Sequence, residues 1–154
     1  MSKLNIKDKA PDFTGKNQNG ETLSLKNFKG KKVIIYFYPK DDTPGCTAES
    51  CNLRDNYQVL QKKGYEVIGI SNDDETSHKK FVKKYELPFN LIADTDKKIV
   101  NDYGVYGEKT FLGITRMGIK RTTFVVDEEG FIEEIITDVK TKDHTEQILD
   151  VAGK

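Results

Sequence analysis

Short apolar runs alternate with longer amphipathic segments along this chain. Residues 33–38, 65–71 and 89–93 are rich in Val, Ile, Leu, Phe and Tyr and read as buried strands. Between the first two, Cys46, Leu53, Tyr57 and Leu60 recur at helical spacing, which predicts a helix over 44–63 stopped by Gly64. Strand, helix and strand in that order form a βαβ unit, whose right-handed crossover lays the helix on one face of a parallel sheet. A second helix is expected after the acidic run Asn72-Asp73-Asp74-Glu75 and before Pro88. A third should run from an Asp94/Thr95 cap to about Tyr103, and a last over 143–152 with Ile148, Leu149 and Val151 on its apolar side. Asn19-Gly20 predicts a hairpin within 13–25, and Glu128-Glu129-Gly130 another that joins 121–127 to 131–136. Residues 1–10 read as a loosely held polar arm. The stretch 104–120, with Gly104, Gly107, Gly113 and Gly118, fits neither period and reads as a long loop; its glycines match no phosphate-binding spacing. The fold class is therefore α/β: an N-terminal β-hairpin and a central mixed sheet flanked by helices, in a single domain over 1–154.

The sharpest change of pattern falls at Tyr36-Phe37-Tyr38-Pro39-Lys40-Asp41-Asp42-Thr43-Pro44-Gly45-Cys46, where strand gives way to helix. Pro39 stops the strand, Thr43 suits the N-cap and Pro44 the first helical position. Cys46 then lies in the first turn, beyond the carboxyl end of a strand, where open α/β sheets bind their ligands. Unpaired N–H groups and the helix dipole there favour the thiolate, which is the nucleophilic form. Gly45 leaves room beside the sulfur for a small substrate and for backbone amides. Cys51 falls on another face, with Asp55, Gln58 and Lys62, where packing does not account for it. Residues five apart in an intact helix are separated by roughly 8.7 Å at Cα, and bridging fails beyond about 7 Å. A Cys46–Cys51 bond would need the helix to unwind.

Charge changes the picture mainly by exclusion. Acidic and basic residues balance at 25 each, so no long-range field draws the chain to nucleic acid or anionic membranes. No apolar stretch approaches a membrane span, and the first residues lack the apolar core of a signal peptide. With only two cysteines, a cytoplasmic protein is expected, its pair catalytic or metal-binding rather than a secreted staple. A closed zinc site needs four ligands, and the two histidines, His78 and His144, lie in polar surroundings far from the cysteines in sequence. Both read as solvated surface residues, and no metal is expected. Arg121 opens an apolar strand, where it is either a charged group for the site or an exposed strand-edge cation.

The spacing Pro39-xxx-Thr43-xx-Cys46 resembles the active-site signature of the peroxiredoxins. A second cysteine five residues later is similar to the bacterioferritin comigratory protein, or peroxiredoxin Q, branch. The resemblance runs from Ala10-Pro11-Asp12-Phe13 through Lys84-Tyr85-Glu86-Leu87-Pro88-Phe89 to Arg121-Thr122-Thr123-Phe124. It implies a thioredoxin-like fold and a cofactor-free thiol peroxidase acting on hydrogen peroxide and organic hydroperoxides, expected as a monomer. It also implies roles. Cys46 is the attacking, peroxidatic sulfur; Thr43, Gly45, Cys46 and Arg121 hold the peroxide; Pro39 shields the sulfur; residues 104–120 form one wall of the pocket. Cys51 resolves the Cys46 sulfenic acid as an intramolecular disulfide, which thioredoxin or a similar dithiol reduces. One reading from a different class stands beside this: a thioredoxin-like module whose disulfide switches an interaction surface without efficient peroxide turnover. A disulfide oxidoreductase fits less well, because the spacing is C-x₄-C rather than C-x-x-C.

Overall fold

The computed structural model describes residues 4–152, so the beginning of the expected polar arm lies outside the described residues. Asn19-Gly20 turns the chain between β1 (Thr14–Asn17) and β2 (Thr22–Ser24), with Gly20 at φ +78, where a side chain would be strained. β3 (Lys32–Phe37) follows. Successive side chains on a strand face opposite ways, so β3 feeds two cores: Val33, Ile35 and Phe37 enter one, and Ile34, Tyr36 and, just beyond the strand, Tyr38 enter the other. All six are buried, each worth roughly 1.5–3 kcal/mol. A one-residue slip would exchange the two faces, which pins the register.

The helix expected over 44–63 is two helices, α1 (Pro44–Asp55) and α2 (Tyr57–Lys62). The break falls at Asn56, whose side-chain amide donates to the Asn52 carbonyl at 2.8 Å, the local competition that makes Asn a poor helix-interior residue. Gly64, at φ +89, turns the chain into β4 (Tyr65–Ser71), which runs parallel to β3 with Ile68 opposite Ile35. α3 (Glu75–Tyr85) starts where read: Asp74 caps it by accepting the Ser77 N–H at 2.8 Å. β5 (Asn90–Ala93) extends the parallel set. The short α4 (Lys98–Asp102) is held by Asp94, which accepts the N–H groups of Ile99 and Val100 at 3.1 and 2.8 Å.

The stretch 104–120 is not a loop. β6 (Tyr106–Phe111) and β7 (Ile114–Ile119) pair antiparallel about Leu112-Gly113, whose φ values of 51 and 79 are the two left-handed residues a tight hairpin turn requires. Its strands are exposed on both faces along most of β7, so no apolar alternation marks them; only the base at Ile119 is buried. β8 (Thr122–Val126), β9 (Ile132–Ile136) and the closing α5 (His144–Val151) complete the chain. The main sheet has the order β2-β1-β5-β4-β3-β8-β9, with β3, β4 and β5 parallel and the rest antiparallel. Residues 7–10 are fastened rather than loose: Ile132 donates to Asp8 at 2.8 Å, and Ala10 donates to Gly130 at 2.9 Å. Among the described residues, no helix is long and apolar enough to cross a membrane.

Candidate active site

The junction between β3 and α1 places the first functional group. Thr43 has the extended backbone of an N-cap and Pro44 opens the helix, which puts Cys46 at its third position. The expected side-chain cap is absent: the Thr43 hydroxyl donates instead to the Lys40 carbonyl at 3.0 Å. Cys46 is 1 % exposed and packs with Leu53, Leu60 and Tyr38, as its helical spacing implied. Pro39 is half-buried at the end of β3.

Strand register brings in the second group. Thr122 of β8 lies opposite Phe37 of β3, so Arg121, one residue earlier, stands beside the mouth of the β3–α1 turn. Its Nη2 donates to Cys46 Sγ at 3.3 Å and its Nη1 to Glu49 Oε1 at 2.8 Å. Burial works against the charged guanidinium, but the sulfur and the Glu49 carboxyl outweigh it and hold Arg121 protonated. Gly45 makes this approach possible, because a Cβ there would stand 3.0 Å from Arg121 Nη2.

Three further groups were not singled out from sequence. Glu49 is fully buried, and burial lifts its carboxyl to about 7, only partly offset by Arg121. A signal for it existed: Glu49 lies three residues after Cys46, on the helix face assigned to the core. Lys109 of β6 donates to the Ile119 carbonyl at 2.8 Å, and a Cβ on Gly118 would sit 3.2 Å from its Cδ. Burial and then the Arg121 charge hold its ammonium below the usual lysine range, while the Cys46 sulfur pulls the other way. Lys109 on this hairpin is thus close enough to Arg121 and Cys46 for their charges to act on it. His144 is the third, and here the sequence reading fails. Both histidines, read as solvated, are fully buried. Burial depresses His144 to about 4.

His78 serves the turn before α1. Its Nε2 lies 2.9 Å from the Ile92 carbonyl and its Nδ1 2.7 Å from Asp41 Oδ2, so both ring nitrogens face acceptors. Asp41 also accepts from Tyr38 at 2.6 Å and Ser77 at 2.8 Å, and its N–H donates to Asp73 Oδ2 at 2.8 Å. Asp41, Asp73 and His78 bring three ligand-type atoms within 4.8 Å of one another. These groups already bond one another and their neighbours, which makes the cluster a clamp on the turn. Cys51 lies in the same intact helix as Cys46, half-buried and unbonded to it. Burial raises its thiol above the usual range, with Arg54 opposing. A cavity of about 250 Å³, lined by Leu25, Phe28, Val33 and Val126 among others, lies at the opposite end of β3 from this chemistry.

A buried cysteine at a helix N-terminus, touched by a guanidinium beyond the carboxyl end of an interior strand of a mixed sheet, makes a candidate thiol-redox site on a thioredoxin-like fold. Residues 6–135 match the model of the AhpC/TSA family, and the chain belongs to that family. It is 47% identical over 146 residues to a putative peroxiredoxin bcp of Coxiella burnetii, covering 95% of this chain and 97% of that one. Identity to the peroxiredoxin Bcp of Escherichia coli is 43%, over 97% and 96% of the two chains. The solved bacterioferritin comigratory protein of Xanthomonas campestris, described for alkyl peroxide reduction, superposes with a TM-score of 0.84 at 31% identity, over 90% and 88%. The protein is a peroxiredoxin and a peroxidase, with a hydroperoxide as substrate and a thiol as reductant.

Proposed function

We propose that the Cys46 thiolate attacks the terminal oxygen of hydrogen peroxide or an organic hydroperoxide, and that Cys51 resolves the product. The 3.3 Å contact between Arg121 and the sulfur carries this reading, because it sets a fixed positive charge where the thiolate waits and where charge builds on the departing oxygen. The Gly45 and Cys46 N–H groups, without intrahelical partners by position, add donors to the same place. Thr43 and Pro39 border it; the Thr43 hydroxyl, spent on Lys40, is free to accept rather than donate unless that bond is exchanged. In the first step an S–O bond forms and the O–O bond breaks, leaving Cys46 sulfenic acid and an alkoxide or hydroxide that takes up a proton. In the second, the Cys51 sulfur attacks the sulfenic sulfur, a disulfide forms and water leaves.

The second step requires α1 to open. Unwinding brings Cys51 within reach and relieves the burial that keeps its thiol protonated. Thioredoxin or a similar dithiol then restores both thiols by exchange. A monomer in the reducing cytoplasm is the setting we assign. The test is peroxide consumption with a thioredoxin system. Cys46→Ser is expected to abolish it. Cys51→Ser should retain one rapid oxidation, then stall and accumulate sulfinic acid. Persistent turnover in Cys46→Ser would remove it as the nucleophile, and slow stoichiometric oxidation of the wild type would favour the redox-switched interaction module.

A further inference from the structure

Glu49 Oε2 is the one buried side-chain oxygen or nitrogen without a hydrogen-bond partner among the described residues. In a close-packed interior such an atom calls for a reason. Nε2 of His144, also fully buried, faces it at 3.4 Å. The tautomer of His144 follows from its other neighbours. Gln147 Oε1 accepts the Lys140 N–H at 3.0 Å and Gln147 Nε2 donates to the Asp138 carbonyl at 2.6 Å, so the amide turns its oxygen toward the ring. His144 Nδ1, 3.0 Å from that oxygen, therefore carries a hydrogen. Nε2 is left with its lone pair, which accepts from the Thr123 hydroxyl at 2.7 Å. That single lone pair is taken up by Thr123, so an ionised Oε2 would face an electron-rich nitrogen with no donor to stabilise it, and the repulsion is relieved when the carboxyl itself carries a proton.

We propose that Glu49 carries a proton in the folded protein, and that His144, by offering no donor to Oε2, is a positioning residue which keeps Glu49 neutral and so leaves the charge of Arg121 to the Cys46 thiolate. Three links join the groups: sulfur to Arg121 Nη2 at 3.3 Å, Arg121 Nη1 to Glu49 Oε1 at 2.8 Å, and Glu49 Oε2 to His144 at 3.4 Å. With Glu49 ionised, two anions compete for one guanidinium. With Glu49 protonated, the Cys46–Arg121 pair stands alone. A carboxyl lifted to about 7 and an imidazole lowered to about 4, both chiefly by burial, agree with a proton resting on the carboxyl side near neutral pH. The groups facing Glu49 are Cys46 on its own helix, Arg121 ahead of β8, His144 on α5, and Tyr36 on β3. Burial holds the Tyr36 phenol un-ionised against Ser50 at 2.9 Å. Lys109 adds a cation that interacts with Arg121 and the sulfur.

This inference deepens the reading of Cys46 as the attacking sulfur, and alkylation lets the two be tested apart. In a Cys51→Ser background, the thiolate fraction of Cys46 at neutral pH is read by ultraviolet absorbance and by the rate of iodoacetamide alkylation. His144→Asn puts an amide donor opposite Oε2, so Glu49 ionises, and the thiolate fraction is expected to fall by about tenfold, the effect of one pH unit. In a Glu49→Gln background the same substitution should leave that fraction unchanged. Equal losses in both backgrounds, or no loss in either, would overturn the neutral Glu49. Infrared spectroscopy of the unmodified protein gives an independent reading. A protonated carboxyl band, identified by its loss in Glu49→Gln, should be present below neutral pH; its absence also overturns the proposal. Coupling seen by alkylation without peroxide reactivity would sink the peroxidase assignment of Cys46 alone, and peroxide reactivity without coupling would sink the neutral Glu49 alone.

Discussion

At the scale of single residues, the site depends on groups that are small or hidden. Gly45 is required by what it leaves out: a Cβ would stand 3.0 Å from Arg121 Nη2 and 3.7 Å from its Cζ. Gly45→Ala is expected to push the guanidinium off the sulfur and lower the second-order rate of peroxide attack by roughly 10- to 100-fold. Stability should not fall, because Ala favours the helix by up to about 1 kcal/mol over Gly. Stopped-flow oxidation and thermal melting check both halves, and an unchanged rate would mean the guanidinium has room to yield. Gly118 plays a similar part under Lys109. Cys46 and Gly45 were legible in the sequence because helix-start chemistry is local. Glu49 and Lys109 were not, since a charged side chain reads as solvated until tertiary packing buries it.

At the scale of elements, the disulfide step proposed for Cys46 and Cys51 needs α1 to open in one stretch and stay anchored on either side of it. Upstream, the Asp41–His78 pair and the Asp41–Asp73 bond fix the turn. Downstream, Asn52 donates to the Lys142 carbonyl and accepts from the Thr145 N–H, both at 2.8 Å, tying the helix to the start of α5. The two cysteines lie between these ties, so unwinding can be confined to the turns that carry them. Asp41→Ala would leave the Tyr38 and Ser77 hydroxyls and His78 Nδ1 without their acceptor and is expected to cost about 1–3 kcal/mol of stability, measured by urea denaturation. A loss below about 1 kcal/mol would show that the clamp is not buried in solution. Strands, the Asp74 cap and both Gly-containing turns of the main sheet were readable from period and turn chemistry. The β6–β7 hairpin was not: with both faces of most of β7 in water, nothing selects apolar residues at alternate positions.

At the scale of the whole molecule, two buried groups set opposing pH slopes. His144 titrates at about 4 in the folded chain against 6.5 ordinarily. Below 6.5 the unfolded chain takes up a proton that the folded chain refuses, so this group lowers stability as pH falls through that window. Glu49 titrates at about 7 against 4.5. Above 4.5 the unfolded chain releases a proton that the folded chain keeps, so this group lowers stability as pH rises toward 7. Each contributes on the order of 3 kcal/mol alone. They oppose one another where the windows overlap, and the wild-type profile is expected to be nearly level there. Removing the carboxyl with Glu49→Gln should uncover a rise in stability with pH, followed by urea midpoints across the acid range. A level profile in that variant would contradict the burial of His144.

By itself the sequence determined the succession of main-sheet strands and the helices between them, the reversal at each main-sheet hairpin, and a cysteine in the first turn of a helix, because periodicity and backbone preference act within a few residues. Only the tertiary structure decided what surrounds that sulfur. Arg121 reaches Cys46 across 75 positions of chain and Glu49 across 72, through the register of β8 on β3. His144 comes to Glu49 through the packing of α5 against α1. Whether a charged or titratable side chain is solvent-facing or buried follows from which elements close over it, and that is a property of the assembled fold.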